Sequence, residues 1–157
     1  MEVKFLKKDN DKHVITCTRK NGTSTWMNLD SFFLHHDMLH YAVETTMNFR
    51  SAFYGMIANG ISISDFGLPK HERNIQLSNE AIYAEYIVNL FMAEGRQGKF
   101  DDFNAKLHEG LLQSKNPLPP VSVTRDQVKS ICFTYAGLLK RWDNLTKGES
   151  MSLEFND

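Results

Sequence analysis

Residues 32–44 read FFLHHDMLHYAVE, and the architecture follows from what this stretch must be. His36, His40 and Glu44 recur every four residues. At about 100° per residue, eight residues drift only about 80° around an α-helix, so the three side chains share one stripe. Phe32, Phe33, Leu34, Met38, Leu39, Tyr41, Ala42 and Val43 make nearly every other face apolar, and a helix of that kind is buried. Ionisable groups carried inside must be paired or bound to a metal, because a bare buried charge is strongly destabilising. The stretch is therefore predicted to be an interior helix that the rest of the chain surrounds.

Two imidazoles and a carboxylate on one stripe form a donor set for a divalent transition metal. The expected ligands are His36, His40 and Glu44. Zinc is the first choice, and a further carboxylate would favour iron or manganese. Asp37, about 100° from His36 on the helix, is the candidate catalytic group. It would hold the other nitrogen of a histidine or act as base on a metal-bound water. His35 and Tyr41 stand next in reach, with plain core or surface roles as the simpler reading. A competing reading keeps the same residues as a metal-free polar network that orders the core of a non-catalytic interaction module.

The motif departs from known signatures in informative ways. In HExxH peptidases a glutamate follows the first histidine, whereas Asp37 stands there in this chain, so peptidase chemistry is not implied. The His36-Asp37 dyad matches the HD phosphohydrolase pattern only in part, since His13, on a predicted strand, is a poor substitute for that pattern's upstream histidine. The HDxxH core, residues 36–40, resembles the metal motif of a family of ubiquinone-biosynthesis (Coq) proteins, whose glutamate lies further downstream than Glu44. Residues 36–46, HDMLHYAVETT, with the following FRSAFYGMIANG, also resemble a stretch in small uncharacterised bacterial proteins; the match covers about a fifth to a sixth of the chain and implies no activity.

Before the cluster helix, Val3 and Phe5 alternate with polar neighbours, and residues 13–19 are rich in β-branched side chains. Two strands are predicted there. Asn21-Gly22 signals a type I′ hairpin leading into a third strand that contains Trp26. Asn28, Asp30 or Ser31 is expected to cap the cluster helix, which should run to about Thr46 and bend near Asn48, with Gly60 ending the next segment.

After the bend, Arg50 reads as a surface residue and residues 61–73 as a long loop carrying an exposed His71. Ser78 opens a helix that Gly95 should close. Ile82, Tyr86, Asn89, Leu90 and Ala93 are expected on its inner face, with Glu85 at the edge as a candidate fourth donor to the metal or a rim glutamate paired with a lysine. Glu80 and Glu94 read as surface charges at the helix ends. Residues 99–113 are weakly amphipathic, with His108 exposed, and Pro117, Pro119 and Pro120 make residues 114–123 an extended connector.

Thr124 to Gln127 form a capping box opening a helix with Val128, Ile131, Tyr135, Leu138, Trp142 and Leu145 on one stripe, ending at Gly148. That stripe packs on the cluster helix or across a homodimer. Met151, Leu153 and Phe155 then alternate as a short strand.

The expected organisation is a single α+β domain: a β meander over 1–29, a helical body over 30–148 and a C-terminal strand within 149–157. The small antiparallel sheet packs beside four to five helices. Lys and Arg number 18 against 19 Asp and Glu, a formal net charge of -1, so no overall field recommends nucleic acid as a partner. No run approaches a membrane span and the first residues lack a signal-peptide core, so neither membrane nor export is expected. Cys17 and Cys132, without a CxxC pair, fit a reducing cytoplasm. The functional expectation is a cytosolic metal-binding protein, hydrolase-like, acting on a small-molecule substrate. Its competitor is the interaction module, with the Trp142 helix mediating self-association.

Overall fold

The computed structural model describes residues 1–9, 11–69, 71–114 and 117–156. Strands β1 (Glu2–Leu6), β2 (His13–Thr18) and β3 (Ser24–Leu29) form the expected meander. Strand β4 (Ser150–Glu154) adds antiparallel to β1, giving the order β3-β2-β1-β4. The register sets Phe5 between Ile15 and Met151, and Val3 between Cys17 and Leu153. These residues are buried on the inner face, whereas Lys4 and Ser152 stand on the solvated one, which is the alternation a half-covered antiparallel sheet requires. The architecture is α+β.

The β2–β3 hairpin lies where Asn21-Gly22 placed it, but its turn differs from type I′. Only Gly22 adopts positive φ there, at 83°. Gly22 N–H donates to Arg19 O at 2.9 Å, and Arg19 N–H to Thr23 O at 2.8 Å, a three-residue loop with the glycine in the left-handed position. The Asn21 carboxamide oxygen accepts from Thr23 N–H instead, so local side-chain bonding selects the longer loop.

Helix α1 (Ser31–Met47) carries the quoted stretch. Asp30 caps it, accepting from Phe33 N–H at 2.8 Å, and Asn48 ends it in the left-handed conformation at φ 55°. Helices α2 (Phe53–Ala58), α3 (Asn79–Gln97), α4 (Phe103–Gln113) and α5 (Arg125–Asp143) follow. Leu34 and Met38 of α1 join Phe5, Ile15, Tyr54 and Trp142 in an apolar cluster under the sheet. Leu39, Ala42 and Val43 join Ala84, Ile87, Val88, Leu107 and Ile131 in a second. α1 thus lies between the two, with α5 packed along it.

Several expectations are corrected. α3 runs through Gly95 and stops at Gly98, which takes φ 93°. Its buried residues are Ala81, Ala84, Ile87, Val88, Phe91 and Glu94, so the inner face is rotated from the one expected. Glu94 is buried, accepting from Lys99 Nζ at 2.6 Å and Phe100 N–H at 3.1 Å. Glu80 binds the α1–α2 turn, accepting from the Arg50 and Ser51 backbone N–H groups and the Ser51 hydroxyl. His108 is half-buried and contacts Val121 O at 3.0 Å, pinning the proline-rich connector. Residues 63–67 of the long loop form a 3-10 turn anchored by Ile63 N–H on the Thr25 hydroxyl.

The capping box at Thr124 and Gln127 is present, but α5 ends at Asp143, short of Gly148. Its Trp142 ring is buried in the same chain beside His13 and Lys7. Among the described residues, no helix is long and apolar enough to cross a membrane. Within the expected connector and C-terminal segment, residues 115, 116 and 157 lie outside the described ones.

Candidate metal centre

The stripe on α1 forms as the spacing demands, and its neighbours decide what each group faces. His36 and His40 lie one turn apart with ring centroids 4.6 Å from each other. Packing of α3 on α1 brings Glu85 over both rings. His40 Nε2 is 3.2 Å from Glu85 Oε2, and His36 Nε2 is 3.7 Å from Glu85 Oε1. His36, His40 and Glu85 each offer one donor atom within 4.8 Å of the others, a group that could hold a metal ion. Asn89, one turn further along α3, donates to Glu85 Oε1 at 2.9 Å and steadies it.

Glu44 sits on the opposite side of His40. Its Oε1 meets His40 Nδ1 at 3.0 Å, and its Oε2 accepts from Tyr54 N–H at 3.0 Å. α2 has no capping side chain of its own at Ala52, so Glu44 reaches from α1 to satisfy the Tyr54 amide, one of those a helix N-terminus leaves orphaned. The turn that makes this reach possible is tight: a Cβ on Gly55 would lie 2.1 Å from Arg50 O. Asp37 plays the corresponding part for His36, with Oδ1 3.4 Å from Nδ1. Tyr54 also donates its hydroxyl to Asp37 O at 2.9 Å, locking α2 against α1.

Electrostatics follow from this geometry. Burial opposes charge on His40, but the Glu44 and Glu85 carboxylates outweigh it and hold the pKa up at about 9. His36 is raised in the same way, against burial, by Asp37 and Glu85. The two imidazoles hold the Glu85 carboxyl far below the ordinary carboxylate range. Burial pushes Asp37 and Glu44 upward, His36 and His40 respectively offsetting part of the effect.

The remaining candidates fall elsewhere. His35 is half-buried and lies outside the His36–His40–Glu85 group. Tyr41 donates its hydroxyl to Glu154 O, tying α1 to β4. His71 is exposed beside Glu72. Arg50 contributes its backbone N–H to Glu80 and leaves its side chain exposed. Comparison with protein-family models, curated proteins and solved structures finds no match to this chain.

Proposed function

We propose that this protein binds a divalent transition metal, zinc being the first candidate, through His36 Nε2, His40 Nε2 and Glu85. The supporting observation is the division of each imidazole between two carboxylates. Each Nδ1 faces an acid of its own helix, Asp37 or Glu44, while both Nε2 atoms turn to the one acid on α3. A carboxylate on the far nitrogen sets the tautomer that leaves Nε2 with a lone pair, and it makes that nitrogen more basic. The two Nε2 atoms approach different oxygens of Glu85, at 3.2 and 3.7 Å, and one donor atom from each residue lies within 4.8 Å of the others, so zinc bonds of about 2.0–2.1 Å would draw the three side chains closer together.

In this reading Glu44 and Asp37 position ligands. Three protein donors are the number found in open, catalytic zinc sites, which keep a coordination position for water or substrate. On that ground the proposal extends to hydrolase-like chemistry on a small molecule. The free thiols of Cys17 and Cys132 support a cytoplasmic setting.

A second reading keeps the cluster free of metal, with His40 as an imidazolium clamped by Glu44 and Glu85. It is favoured by the absence, among the described residues, of any buried side-chain nitrogen or oxygen without a hydrogen bond. Elemental analysis of chain purified without chelator, followed by calorimetric zinc titration, separates the two. One zinc per chain, abolished in a His36→Ala, His40→Ala variant, is the expected result. Wild-type protein that takes up no stoichiometric zinc, iron or manganese overturns the first reading in favour of the second.

A further inference from the structure

Two phenyl rings stand in solvent at the mouth of the His36–His40–Glu85 group. Phe32 and Phe33, in the first turn of α1, are 51% and 53% exposed, although exposing large apolar rings side by side gains the fold nothing. Phe32 lies near-parallel to the His36 ring, at 21° and 6.3 Å, and Phe33 meets it edge-on at 6.4 Å. The two phenyl rings touch each other at 5.4 Å. His40 is enclosed, with Phe53 against its ring at 5.5 Å. The cluster therefore opens along its His36–Glu85 edge, where the Glu85 side chain is 52% exposed. The phenyl rings pack on His36, at one end of that edge.

We infer that Phe32 and Phe33 form an apolar shelf for the substrate, which joins a metal-coordinating oxygen donor to an aromatic or bulky aliphatic group. The inference rests on the metal-binding reading above and adds the substrate class. The donor meets the ion at the His36–Glu85 edge, and the apolar group lies on the shelf one helical turn away. Ring contact and area removed from water both favour a flat hydrocarbon group there. Asp37, Glu44 and Glu85 together bring three carboxylates against the two charges of the ion, so the site does not demand an anionic group of its own on the substrate beyond the coordinating donor.

Two probes with the same donor and different tails test this on the full chain loaded with Co²⁺, whose visible spectrum reports coordination. Benzohydroxamate should bind about tenfold tighter than acetohydroxamate, the scale expected for partial burial of one phenyl ring. The ratio should fall toward one in a Phe32→Ser, Phe33→Ser variant. It should persist in Phe133→Ser, which removes a phenyl ring that is 83% exposed on α5. Cobalt coordination with equal affinities for the two probes, or a preference that survives the double substitution, overturns the shelf and leaves the metal site standing. Absence of any cobalt spectrum overturns both.

Discussion

Replacing Glu44 by glutamine conserves side-chain shape, and its surroundings dictate which way the new amide lies. Tyr54 N–H donates to the Oε2 position at 3.0 Å, so that position must keep an oxygen. The amide nitrogen then occupies the Oε1 position, 3.0 Å from His40 Nδ1. An NH₂ group only donates, so His40 must present a lone pair at Nδ1 and carry its proton on Nε2, the atom that faces Glu85. A protonated Nε2 cannot coordinate. Returning the proton to Nδ1 sets two N–H donors against each other and forfeits one hydrogen bond.

Loss of such an outer carboxylate weakens metal binding about 10- to 100-fold, equivalent to about 1.4–2.7 kcal/mol. The metal-free chain should also lose stability at neutral pH, because the charge-assisted Glu44–His40 bond that helps hold the imidazolium becomes a neutral one. Zinc competition against a chromophoric chelator, with thermal melts of the metal-free proteins alongside, reads both quantities. Equal zinc affinity in wild type and Glu44→Gln would refute the tautomer argument. A loss beyond about a thousandfold would instead make Glu44 a ligand in its own right.

Acidity supplies a second test. With its pKa at about 9, His40 must lose a proton to bind metal, and His36 is raised as well, so zinc affinity should climb at least about tenfold per pH unit between pH 7 and 9 and then level; a flat profile would count against His40 as ligand. For the metal-free chain the sign runs the other way. The folded pKa lies above the reference value of 6.5, so this contribution to stability is full below that value and fades as pH rises through about 9, lowering the melting temperature. Gly55→Ala should cost about 3 kcal/mol or more by urea denaturation, since the new Cβ would overlap the backbone atoms Arg50 O and C; a loss under about 1 kcal/mol would show that the turn yields. Trp142→Ala should cost about 3–5 kcal/mol and leave the sedimentation coefficient unchanged, whereas loss of a dimer at constant stability would support the self-association reading.

Local chemistry made part of this molecule legible in advance. The meander, the Thr124 capping box and the one-turn spacing of His36, His40 and Glu44 are all written within short windows, and each forms. What escaped is what depends on distant partners. Spacing sets Glu44 beside His40, but only the arrival of the Tyr54 amide decides that its carboxylate faces Nδ1. Glu80 and Glu94 look like ordinary helix-end charges until the Ser51 and Phe100 backbones come to meet them. In α3 two stripes overlap, and the one with small residues, Ala81 and Ala84, is buried against α1 and its neighbours. The large side chains at 82, 86 and 90 are only partly buried. Gly95 does not end the helix because a glycine inside a long packed helix costs only about 1 kcal/mol, which tertiary contacts readily override.

Because α1 lends Leu34 and Met38 to one apolar cluster and Leu39, Ala42 and Val43 to the other, neither cluster can melt while its neighbour stays intact. The helix acts as a common wall, and removing it leaves two half-rooms. Heating should therefore trace one calorimetric peak whose van't Hoff and measured enthalpies agree. The slowest-exchanging amides should fall in the middle turns of α1, protected until the whole chain opens at once.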